Sequence, residues 1–101
     1  MKKQKKILVA NWKMNPVTRT DVDLIIKGTK KQAALFKKIQ VVVCPPFVFT
    51  DYVSKKIGSE KTNVTIGVQN ISSELKGSYT GEVSAAMVAD LKATHAIIGH
   101  S

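Results

Sequence analysis

Residues 41–44 read VVVC and are followed at once by Pro45 and Pro46. A strand with one wet face alternates apolar and polar side chains. This run does not, so both of its faces call for cover. Working outward, three more short runs share the property: ILVA (7–10), VTIGV (64–68) and AIIG (96–99). Two-sided, β-branched strands of this length belong to parallel sheets, whose crossovers place helices against the faces.

The intervals between the runs carry helical signals. Val22, Ile25, Ile26, Thr29, Ala33 and Phe36 recur at helical spacing, which predicts an apolar stripe facing a sheet. Thr18, Thr20 and Asp21 supply capping chemistry just ahead of it. A second helix fits 48–57 and is ended by Gly58. A third fits 84–92, rich in alanine. The predicted order is β-α-β-α-β-α-β, an α/β class with right-handed crossovers. No linker or low-complexity stretch divides the 101 residues, so one domain without an internal boundary is expected. Four such strands alone do not separate a piece of a barrel from a flavodoxin-like open sheet.

Composition narrows the function classes. Hydrophobic residues make up 44% of the chain, enough for a core. No apolar run nears the roughly 20 residues of a membrane span. The start MKKQKKILVANW has a basic stretch, but its apolar run, Ile7 to Ala10, is too short for a secretory signal. The single Cys44 cannot pair internally, which suits a reducing, cytoplasmic location. The net charge of +9 comes from 16 Lys and Arg against 7 Asp and Glu. Lys2, Lys3, Lys5 and Lys6 precede the first strand, and Lys30–Lys31, Lys37–Lys38 and Lys55–Lys56 come in pairs. Aromatics are 6% and do not interleave with the lysines, and one cation in sixteen is Arg. That reads as solvated helix faces and a soluble tail. No nucleic-acid or membrane partner is expected.

Parallel α/β folds keep their chemistry at the carboxyl ends of strands. After the first run come Asn11, Trp12 and Lys13; after the second, Cys44 and the Pro pair; after the third, Gln69, Asn70 and a long loop; after the fourth, His100. Lys13 at such a place suits an anionic ligand such as a phosphate ester, with a solvated loop lysine as the alternative. His100 could serve as a general acid, a hydrogen-bond donor to a carbonyl or a metal ligand. The only other histidine, His95, sits at the opposite end of the same strand, so no metal site is expected. Cys44 reads as a packed residue, not a nucleophile. Gln69 and Asn70 read as partners of loop backbone. Asp51, Glu60, Glu74, Glu82 and Asp90 fall on helices or loops, and none reads as a base at a strand end.

Three of these stretches, VANWKMN (9–15), GVQNISSELKGSYTGEVSAAM (67–87) and AIIGHS (96–101), closely resemble the triosephosphate isomerase family. The resemblance implies a TIM (β/α)8 barrel. Such a barrel takes roughly 250 residues, so residues 1–101 would be its amino-terminal portion through the fourth strand, an incomplete barrel. It implies interconversion of dihydroxyacetone phosphate and glyceraldehyde 3-phosphate, in glycolysis and gluconeogenesis, through an enediol(ate), with no cofactor and no metal. Lys13 would bind the substrate's phosphate side and stabilise developing negative charge, Asn11 would orient substrate and Lys13, and His100 would polarise the carbonyl. The loop 70–84 would insert into a partner subunit, with Thr80 near its tip beside Tyr79, Gly81 and Glu82, giving a homodimer. The family's glutamate base follows the sixth strand, beyond Ser101, so the isolated chain is expected to be inactive. Half a barrel should also expose one face of its apolar strands. The alternative is a non-catalytic half-barrel that self-associates or pairs with a complementary chain.

Overall fold

The computed structural model describes residues 6–58 and 61–99. Its elements follow the order read from the sequence: β1 (Lys6–Asn11), α1 (Arg19–Ala33), β2 (Ile39–Cys44), a short 3-10 turn (Phe47–Phe49), α2 (Thr50–Ile57), β3 (Val64–Val68), α3 (Ala85–Asp90) and β4 (His95–Ala96). The four strands form one parallel sheet in sequential order, β1-β2-β3-β4. With helices interleaved this is a curled half-barrel, the incomplete (β/α)8 architecture.

Register fixes which side chains share a face. Lys6 pairs with Ile39 and Asn11 with Cys44; Val41 pairs with Val64 and Val43 with Ile66. Successive strand residues point to opposite faces. So Val41, Val43, Val64 and Ile66 look the same way, and they meet Val22, Ile26 and Ala33 of α1 and Val53 and Ile57 of α2 in one buried cluster. Fully burying a residue of this size contributes roughly 1.5–3 kcal/mol, so this helix-facing layer dominates the stability. On the other face Val42 and Cys44 are also fully buried, against the backbone of Gly67. A Cβ on Gly67 would lie 2.8 Å from both Cys44 Sγ and Val42 Cγ1 and 3.0 Å from the His95 carbonyl oxygen. Only glycine lets β2, β3 and β4 approach this closely.

The helices begin where capping chemistry allows. The Thr18 hydroxyl accepts the Asp21 N–H at 3.2 Å and opens α1; the Ser84 hydroxyl accepts the Met87 N–H at 3.2 Å and opens α3. Gly58, at φ +64, closes α2. Polar side chains then tie the units together. The Asn63 amide nitrogen donates to the carbonyls of Ala33, Phe36 and Ile39 at 2.9, 3.1 and 2.7 Å, pinning the α1–β2 corner. Ser54 donates to the Leu91 carbonyl at 2.6 Å, joining α2 to the end of α3. Between α1 and α2, the Tyr52 hydroxyl donates to Asp23 Oδ1 at 2.7 Å and its ring lies under both Arg19 and Lys56. The neighbouring Asp23 carboxylate, foremost, holds the Lys56 ammonium above its ordinary pKa.

Four expectations need correction. The run AIIG gives a ladder of only two residues, extended by one bond from the Ile97 N–H to the Val68 carbonyl at 2.9 Å. Helix α1 ends at Ala33, which leaves Phe36 outside it and exposed, and Ile25 is exposed too. Residues 47–49 form a separate tight turn, so α2 starts at Thr50. Two-sided burial holds for β2 and β3 and fails for β1, where Ile7, Leu8 and Val9 are 51%, 59% and 48% exposed. Within the sheet, open apolar surface thus lies at the edges, and the middle strands are covered on both sides.

Candidate active site at the strand ends

The carboxyl ends of β1, β2 and β3 are joined by backbone and by one side chain. Past the last paired residue, the Trp12 N–H donates to the Cys44 carbonyl at 3.1 Å, carrying the β1–β2 ladder one step further. The chain then turns sharply. Lys13 adopts φ +58, the left-handed region that non-glycine residues enter at a cost of roughly 1–3 kcal/mol. The turn is held from both sides. The Lys13 N–H donates to Asn11 Oδ1 at 2.9 Å. Its carbonyl accepts from Gln69 Nε2 at 2.6 Å, and the same nitrogen donates to the Cys44 carbonyl at 2.9 Å. With both partners carbonyl oxygens, the Gln69 amide can point only its nitrogen at them.

Asn11 and Lys13 are exposed, so the sheet's end presents an ammonium and an amide to solvent on a backbone that is fixed underneath. The Asn11 oxygen is engaged by the Lys13 N–H, which keeps its donor end for a ligand. Such a pair attracts an anion and orients it. Cys44 lies beneath, wholly buried, and burial pushes its thiol from the ordinary 9.0 up to about 11. It has no thiolate character near neutrality and belongs to the packing, as its sequence position suggested.

The structure thus brings Asn11 and Lys13 together. It gives Gln69, read from sequence as a partner of loop backbone, that role at the point where it fixes the lysine. The signal was its place directly after a buried strand. Nothing in the sequence marks Lys13 as left-handed. His100 lies outside the described residues. The loop 70–84 is closed at its base by the Ser72 N–H donating to the Val83 carbonyl at 2.8 Å. At its far end the Glu82 N–H donates to the Tyr79 carbonyl at 3.0 Å, with Gly81 at φ +83. This is a type II turn, with Thr80 and glycine at its centre. Thr80 and Gly81 are exposed on its tip. Among the described residues, no group of three or more His, Cys, Asp or Glu side chains could hold a metal ion. The described carboxylates lie in α1, α2, α3 and the 70–84 loop.

Compared with known proteins, residues 6–101 match the family model described as triosephosphate isomerase. The chain belongs to the triosephosphate isomerase family. Relatives named triosephosphate isomerase include proteins of Dictyoglomus turgidum, 40% identical over 98 residues, and of Wolbachia pipientis wMel, 41% identical over 95. A third, from Psychromonas ingrahamii, is 34% identical over 95 residues. These alignments cover 94–97% of this chain and 37–38% of the relatives. The chain therefore spans well under half the length of the triosephosphate isomerases it matches. The matched part takes in β1 to β4, the Asn11–Lys13 turn and the 70–84 loop.

Proposed function

We propose that the protein carrying this chain is a triosephosphate isomerase, interconverting dihydroxyacetone phosphate and glyceraldehyde 3-phosphate in cytoplasmic glycolysis and gluconeogenesis. The observation that carries the reading is the Lys13 turn: an exposed ammonium at a strand end, held in a strained backbone by Asn11 and Gln69. Strain of this kind concentrates at functional sites. Removing the proton beside the substrate carbonyl leaves negative charge on oxygen. Lys13 offsets that charge and holds the phosphate side, Asn11 orients both, and His100 donates to the carbonyl oxygen. A fixed donor is worth most where charge develops during the reaction. The proton acceptor is a carboxylate supplied from outside residues 1–101, so the isolated chain is inactive. In the complete enzyme the Thr80 tip, with Tyr79, Gly81 and Glu82, reaches into a second subunit of a homodimer, and no cofactor, metal or nucleic acid takes part.

A coupled assay of triose phosphate interconversion tests this. The longer protein should turn over, the 101-residue chain alone should not, and Lys13→Met should lower kcat by about 10²–10³-fold. Full activity of the Lys13→Met protein would refute the assignment. A second reading rests on β1, whose exposed Ile7, Leu8 and Val9 favour a half-barrel that self-associates or pairs with a complementary chain. Sedimentation velocity on the isolated chain separates the two: a stable, discrete oligomer supports this reading, and a monomer rules it out.

A further inference from the structure

The end of the sheet opposite Lys13 carries a different surface. In a parallel sheet the segments that lead into the strands share one end, so the 34–38 turn and residues 61–63 lie on the same side. Between Leu24 and Thr50 the sequence has no Asp or Glu, and four of its five lysines form the pairs Lys30–Lys31 and Lys37–Lys38 on either side of Leu35 and Phe36. Leu35 is 71% and Phe36 57% exposed. The backbone that presents them is rigid: Asn63 donates to the carbonyls of Ala33, Phe36 and Ile39, and the Phe36 and Ile39 N–H groups close turns onto the Ala33 and Phe36 carbonyls at 3.0 and 2.9 Å. The Lys30 ammonium reaches the Lys56 carbonyl at 3.5 Å, while the Lys55 and Lys56 ammoniums are engaged by Asp51 at 2.9 Å and Asp23 at 3.5 Å, so the cations this face offers are Lys31, Lys37, Lys38 and Lys61.

Lysines at helix C-termini have an ordinary explanation in the helix dipole. That accounts for Lys30, Lys31, Lys55 and Lys56. It does not account for Lys37, Lys38 and Lys61, which follow or lie between elements, nor for two large apolar side chains held out on a pinned corner. We propose that this face is a peripheral docking surface for an anionic lipid bilayer, with Leu35 and Phe36 entering the headgroup boundary and the surrounding lysines facing the acidic headgroups. The combination of a basic surface and a small apolar wedge is what interfacial binding needs. A nucleic acid fits less well, because Leu35 offers no stacking face and the cations here are all lysines. This is contact with a surface, consistent with the absence of any membrane-spanning helix among the described residues. It is independent of the catalytic assignment, since the face lies away from Lys13.

The test is co-sedimentation of the natural protein carrying this sequence with phosphatidylcholine vesicles, with and without phosphatidylserine. Binding is expected only with phosphatidylserine, weakened by salt, and reduced about tenfold or more by Leu35→Ser with Phe36→Ser and by Lys37→Gln with Lys38→Gln. Both pairs are exposed, so the variants should keep their thermal unfolding temperature. No binding to phosphatidylserine vesicles overturns the proposal. So does binding that the Leu35→Ser/Phe36→Ser variant retains in full, which would place the contact on another surface such as β1. Tighter binding to polyuridylate, lost on Phe36→Ala, would assign the face to RNA and also overturn it.

Discussion

Gln69 makes two bonds at the strand ends, one to the Lys13 carbonyl and one to the Cys44 carbonyl that the Trp12 N–H also reaches. Replacing it by alanine leaves a left-handed lysine held on one side only, by Asn11. Gln69→Ala should cost about 1–3 kcal/mol of stability and lower the activity of the complete protein more than its affinity for a simple phosphate, as calorimetric unfolding and steady-state kinetics would show. Cys44 makes a pH prediction. Its thiol is raised from 9.0 to about 11 in the folded chain, so the folded state holds its proton more tightly than the unfolded state. The stability this represents is complete below pH 9 and is lost as pH rises through about 11, at roughly 1.4 kcal/mol per unit. Cys44→Ala should flatten that part of a denaturant-midpoint series against pH. Over the neutral range a thiol reagent should modify the native protein far more slowly than the unfolded one.

At the scale of elements, Asn63 stands out because one side chain serves three carbonyls in a corner it does not belong to. Asn63→Ala removes this link and leaves the Ala33 and Phe36 carbonyls with only the Phe36 and Ile39 N–H groups, and a loss of about 2 kcal/mol is expected in urea unfolding. Hydrogen exchange should speed at Ile39 and Val41, the first amides of β2. Much at this scale was legible in the sequence. The VVVC and VTIGV runs read as buried strands because every residue in them is apolar or small, and Thr18 and Gly58 mark the helix ends they occupy. The failures share one cause. ILVA and AIIG have the same local chemistry as VVVC, but burial of a strand depends on its neighbours, and β1 and β4 stand at the edges of the sheet. Periodicity reports what a segment would tolerate on each face, not what stands there. The site shows the same limit. Asn11 and Lys13 could be picked out by their place after a strand, whereas the backbone twist at Lys13 is held by Asn11 and by Gln69, and no local pattern encodes the bond from residue 69.

For the molecule as a whole, stability is unevenly spread. The cluster between α1, α2 and the inner strands is closed, while Ile7, Leu8 and Val9 on β1 and Ile98 beyond β4 face water. An exposed, unpaired apolar edge is a template for association. Leu8→Lys is expected to shift the isolated chain toward smaller species in sedimentation velocity, with little change in unfolding free energy because Leu8 contributes so little burial. A drop in unfolding free energy as large as that of a core truncation, about 2–5 kcal/mol, would show that β1 is covered in solution after all.

The reach of Asn63 also bears on how the chain is made. Its amide closes a corner formed by residues 33–39 but is itself encoded some two dozen positions later. At a synthesis rate of roughly 5–20 residues per second, that corner waits about 1–5 seconds for its last donor. During that interval the ribosome holds a nascent α1–β2 unit whose turn has only its own short bonds to hold it. The corner of the first unit therefore gains its last hydrogen bonds only after residue 63, just ahead of the third strand, has been added.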